Sequence, residues 1–170
     1  VKSAVALALL TALLGCITDL RSRRIPNALT LGSALGALVF HGVTANLKGL
    51  AFASEGWLLP VAVFFLPFAL GGLGAGDLKL LGALGAWLGP AHALWLVLYT
   101  GVAGGALALL VALARGYLPQ AARNIWLLLT HWSAVGLRPL HEVSLEGSSG
   151  PRLAYAIPIF VGAVVTIWLH

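Results

Sequence analysis

From Leu80 to Ala114 the chain carries no Asp, Glu, Lys or Arg. So long a stretch without charge cannot be laid on the surface of a water-soluble globule, and it is not isolated. Apolar runs recur at residues 3–18, 28–43, 57–70, 78–88, 91–114 and 153–169. A helical crossing of a bilayer takes about 20 apolar residues, with a range of roughly 17–25. Apolar residues make up 60% of the 170, charged ones only 9%, and the mean hydropathy is +0.98. A soluble domain carries about 25% charged residues. The reading is an all-α, polytopic transmembrane helix bundle of about six spans, one membrane-embedded domain over residues 1–170, with the lipid bilayer as its solvent. The short runs at 57–70 and 78–88 are tolerable only where neighbouring helices surround them, because unsatisfied backbone in lipid is costly.

The segment 115–152 reads as cytoplasmic and interfacial. Its apolar stretch Ile125 to Trp132 is too short to span, so it is expected to lie in the interface with Trp126 and Trp132 at headgroup level. Charge bias then orients the bundle. With the N-terminus outside, Arg21, Arg23, Arg24, Lys79, Arg115, Arg123, Arg138 and Arg152 fall on the cytoplasmic side, against Lys2 and Lys48 outside. The net charge of +5 is thereby a topology signal, and no nucleic-acid partner is expected. Leu13 to Cys16 resembles a lipoprotein cleavage box, but the arginines that follow oppose export, so the run reads as a retained span. Glycines four apart (Gly32 and Gly36, Gly72 and Gly76, Gly85 and Gly89, Gly101 and Gly105) would let helix backbones approach closely.

Most reaction chemistries lack their residues. Cys16 is the sole cysteine, which excludes an internal disulfide or a Cys-based zinc site. His141-Glu142 begins a zinc-protease motif but position 145 is Leu. Gly147 to Gly150 lacks the nucleophile-elbow pattern, and Gly72 to Asp77 lacks the last glycine of a dinucleotide loop. No metal or cofactor is expected. Of the five acidic residues, Glu55 falls in an outer loop and Glu142 and Glu146 in a polar stretch. Asp19 and Asp77 remain, each beside a span on the cytoplasmic side, where two carboxylates from separate elements can meet. Ionisable groups at such depth point to function. Two readings stay open on the residues alone: a catalytic pair, or interfacial charges, Asp77 serving a helix N-terminus and Asp19 an arginine partner. A non-enzymatic transporter or scaffold subunit using the aspartates for ions or protons is the alternative function.

Asp19-Leu20-Arg21-Ser22-Arg23-Arg24-Ile25-Pro26-Asn27, followed by Gly74-Ala75-Gly76-Asp77-Leu78-Lys79, resembles the paired signature of the type IV prepilin peptidases, the GxGD class of membrane aspartic proteases. The first block ends in Arg-x-Ile-Pro-Asn and the second matches GxGDxK. Presenilin-like proteases share GxGD but lack the first block. With Cys16 alone and no Cys-rich insertion, the chain is most similar to the short, peptidase-only form that serves Flp/Tad-type pili.

The resemblance implies removal of the short basic leader of prepilins or pseudopilins at the cytoplasmic boundary of a bacterial or archaeal-type cytoplasmic membrane. It implies leader cleavage without the methylation that the long members add. Asp19 and Asp77 would be the catalytic residues, sharing a proton as close carboxyls do. Helix dipoles would favour the charge on Asp77 and the proton on Asp19. Arg24, Pro26, Asn27, Gly74, Gly76 and Lys79 belong to the motifs and would position the substrate or the loops. Gly71, Gly72, Gly74 and Gly76 permit close approach of an extended peptide. Pro26 fixes a bend and Asn27 is expected to cap the second helix. Arg21, Arg23 and Arg24 suit lipid headgroups better than a basic leader.

Overall fold

The computed structural model describes residues 2–116, 118–120, 122–123, 126–127, 130 and 154–170. Among these residues there is no strand. The helices are α1 (Lys2–Ser22), α2 (Asn27–Ala69), α3 (Ala75–Ala114) and α4 (Ala156–Leu169). The first three are long and apolar enough to cross a membrane, while α4 is apolar but shorter. The protein is a multi-pass, all-α helix bundle. Most of the expected interfacial segment, with Ile125, Trp132, Arg138, Glu142 and Glu146, lies outside the described residues, as does residue 153 at the start of the last expected span.

Two of the long helices are broken. In α2 the backbone leaves helical geometry at Ala45 and Asn46, the latter at φ 54°. In α3 it does so at Gly89, at φ 78°, where glycine carries no Cβ penalty. Pro90 follows and cannot continue the hydrogen-bond ladder. These breaks divide α1 to α4 into six helical rods: 2–22, 27–44, 47–69, 75–88, 90–114 and 156–169.

The third rod corrects the sequence reading. The expected span at 57–70 is part of a helix that resumes at residue 47, so Lys48 and Glu55 are exposed helical residues and Glu55 is not in a loop. Lys, Glu, Leu and Ala are all good helix formers, and a rule keyed to hydropathy stops at the charges. Two glycines dock this extension. A Cβ on Gly49 would strike the carbonyl of His41, and one on Gly56 would strike the backbone of Gly85. Of the glycine pairs noted in the sequence, Gly85 and Gly89 do mark a close crossing, whereas Gly32, Gly101 and Gly105 face open space.

The rod at 75–88 is the centre of the bundle. Every residue from Leu80 to Gly89 is buried, which is how so short an apolar run is satisfied. α1 lays against the core a face built of Ala4, Ala8, Thr11, Ala12, Gly15 and Cys16, all small. Gly15 brings the backbone onto Leu80, whose Cδ2 is 2.8 Å from where a Cβ would stand. α4 packs on the second rod of α3, with Gly162 against Thr100 and Gly104 under the Tyr155 ring.

A polar chain braces α1, α2 and α3. Trp87 Nε1 donates to Ser33 Oγ at 2.8 Å, Ser33 and Thr11 hydroxyls are 2.8 Å apart, and Thr11 donates to the Leu7 carbonyl at 2.8 Å. The order fixes the protons: Thr11 spends its own on Leu7, so Ser33 donates to Thr11. His41 Nε2 lies 3.1 Å from the Trp87 carbonyl, near the Gly89 break. A carbonyl only accepts, so Nε2 carries the hydrogen.

Candidate active site

α1 does not stop at Thr18. It runs on to Ser22, and Asp19 continues the small inward face, one turn beyond Gly15 and Cys16, and is buried. The helix then ends on Arg23, which takes a left-handed φ of 53° and donates its backbone N–H to the Asp19 carbonyl at 2.8 Å. That is the single-bond left-handed C-cap, normally a glycine position. The acid and the turn that ends its helix are thus one unit.

Asp77 arrives from the opposite direction. α2 closes in a Schellman motif: Gly71 sits at φ 76°, its N–H bonds the Phe68 carbonyl at 2.9 Å, and Gly72 N–H bonds the Pro67 carbonyl at 2.8 Å. The chain needs only Gly71 to Gly74 before α3 begins. Gly74 is the N-cap, and Asp77 is the third residue of the first turn, where the helix dipole favours an anion. Its carboxyl reaches back to the Gly74 backbone amide. An ideal Cβ on Gly74 would lie 2.9 Å from Oδ2 of Asp77. The other oxygen, Oδ1, is buried with no hydrogen-bond partner among the described residues.

Antiparallel packing brings the two acids to one level. Gly15 touches Leu80. Asp19 lies one turn past Gly15, towards the end of α1, and Asp77 one turn before Leu80, towards the start of α3. Both carboxyls are therefore on the same side of that contact. They line one cleft of about 510 Å³.

The same cleft is lined by Arg24, Pro26, Asn27, Gly74, Gly76 and Lys79, so the structure brings together every residue singled out from the two motifs. It adds Ile25 and Ala75, which sequence reasoning had passed over, and Arg23, to which it gave no place in the site. The signal for them was contiguity: each lies inside one of the two quoted blocks. Arg23 and Arg24, read from the sequence as headgroup anchors, face the cleft, whereas Arg21 is not among its lining residues.

Asn27 differs from expectation. Pro26 is the N-cap of α2, with no side-chain capping bond, and Asn27 is the first helical residue. Its amide oxygen instead accepts a hydrogen bond from Lys79 Nζ at 2.9 Å. Pro26 supplies the extended φ/ψ (−62°, 136°) that starts the helix, so no Asx-type cap forms. Beside this bond, Ile25 packs over Gly76, where an added Cβ would come within 3.2 Å of the Ile25 Cβ.

Comparison with known proteins identifies the family. No solved structure matches the chain. The chain is 31% identical over 157 residues to the prepilin leader peptidase/N-methyltransferase of Neisseria gonorrhoeae, covering 79% of this chain and 53% of that protein. It thus spans about half the length of the curated relative it matches. The model of the type IV leader peptidase family matches residues 5–109, a region that holds both aspartates. With more than half of its residues so matched, the chain belongs to the type IV leader peptidase family.

Proposed function

We propose that the protein is a membrane aspartic endopeptidase that removes the short basic leader of type IV prepilins or pseudopilins. The observation that carries this reading is the meeting of Asp19 and Asp77 in one cleft at the ends of two antiparallel helices. In this reading the six rods cross the cytoplasmic membrane as one domain, and the cleft opens at the cytoplasmic boundary. A leader followed by an apolar helix presents its junction at that level.

The two carboxyls share one proton, because close carboxyls do not readily ionise together. The ionised one takes a proton from water as the water oxygen attacks the scissile carbonyl carbon. The protonated one gives its hydrogen to the carbonyl oxygen. The resulting diol collapses as one of its hydroxyls returns a proton to the pair, the C–N bond breaks, and the leaving nitrogen takes a proton from the pair. Oδ1 of Asp77, buried and without a partner, is free to accept in the first step. No acyl-enzyme forms, and the titration belongs to the pair rather than to either residue.

The test is cleavage of a prepilin by the purified protein in lipid. Asp19→Asn and Asp77→Asn should each abolish leader loss while the protein stays inserted and folded. Because a dyad acts as a unit, the double variant should be no worse than either single one. Substantial activity in either single variant would sink the two-aspartate mechanism.

A further inference from the structure

We propose that Asn27 and Lys79 act as a pin that sets the spacing of Asp19 and Asp77, making them positioning residues rather than contacts for the substrate. The inference rests on the peptidase reading above and adds to it the means by which the two acids are held.

Asp19 and Asp77 belong to helices that no backbone hydrogen bond joins among the described residues. Two contacts near the acids bear on their spacing. One is the Gly15–Leu80 contact, a full turn away from the acids. The other lies on the cleft side of the acids, in the link 23–26 between α1 and α2. Arg23 ties the start of that link to the Asp19 carbonyl at 2.8 Å. Ile25 rests on Gly76, the residue before Asp77. Asn27 closes the link by accepting from Lys79, two residues after Asp77, at 2.9 Å. Successive attachments thus run from the backbone of one acid to both flanks of the other.

The chemistry of the bond fits a pin better than a binding group. Lys79 follows Asp77 by two residues, and side chains two apart on a helix do not face each other. Its ammonium is directed across to α2 and donates to a neutral amide oxygen. An amide oxygen with two lone pairs accepts from Lys79 over a fixed length, since Asn has only two side-chain torsions. The neighbouring Ile25–Gly76 contact is apolar and undirected, so it cannot replace the bond.

The experiment uses the full chain in proteoliposomes with a prepilin substrate. Asn27→Ala and Lys79→Ala should each lower kcat by about 10–100-fold, the cost of a misplaced reacting group, with little change in KM. The double variant should be no worse than either single one. Lys79→Arg, which keeps a donor, should recover most of the lost rate. A second measurement does not need cleavage. With Cys16→Ser as background, Asp19→Cys together with Asp77→Cys should cross-link readily with a short bifunctional thiol reagent, and adding Asn27→Ala should slow that reaction. A raised KM in Lys79→Ala with Asn27→Ala silent would make Lys79 a substrate contact and overturn the pin. Equal cross-linking with and without Asn27→Ala would overturn it too. Failure of the wild type to cleave any prepilin would instead remove the peptidase reading, and the cross-linking result would still judge the pin.

Discussion

An ideal Cβ on Gly74 would stand 2.9 Å from Oδ2 of Asp77, so even a methyl group there displaces the carboxyl. The backbone of Gly74 itself is in an ordinary extended conformation that alanine adopts without strain. Gly74→Ala should therefore fold, with a thermal midpoint near that of the wild type, yet lose about 100-fold in kcat through a misplaced acid. Gly32→Ala, in open space, is the control and should leave cleavage unchanged. At this scale the sequence was informative about place. The residues quoted from the two motifs line one cleft because each block is short and sits at a helix end. Partners were not legible. Nothing in Pro26-Asn27 says that the proline would take the N-cap and leave the asparagine for a lysine 52 residues away.

Packing between α1 and α3 depends on the missing side chain of Gly15. Gly15→Val would overlap Leu80 and force the helices apart, at about 1–3 kcal/mol for overpacking. Activity should fall with stability, because the same contact sets the level of the two acids. Leu80→Ala added to Gly15→Val should restore part of both, measured as denaturation in detergent and as cleavage rate. The break in α3 makes a sharper demand. Gly89 combines a φ of 78° with the Phe52 ring against its Cα, so Gly89→Ala should destabilise strongly, while Gly101→Ala, facing open space, should not. The end of one apolar run at residue 88 and the start of the next at 91 marked that break in advance. The break at Asn46 was read instead as a loop continuing to residue 56, because Lys48 and Glu55 look like loop residues when only charge is counted. Their helix is held by Gly49 and Gly56 against other backbones, a tertiary cause that no local pattern displays.

Across the whole molecule the charges predict a direction of insertion. Reporter fusions after Ser22 and after Arg115 should read cytoplasmic, and one near Lys48, just past the Asn46 break, should read external. An external signal at Ser22 would reverse the bundle and put the cleft on the wrong face for a leader. The rod at 75–88 gives the assembly a further property. It is about 21 Å long, shorter than a hydrocarbon core of about 30 Å, and its neighbours enclose it from Leu80 to Gly89. Lipid chains therefore meet the surrounding rods and not this one. Hydrophobic mismatch is relieved by tilting whatever the lipid touches, so thicker or thinner membranes act first on the outer helices. The helix that carries Asp77 takes its attitude from protein alone, so in the proposed reaction the placing of this acid is insulated from the thickness of the bilayer around it.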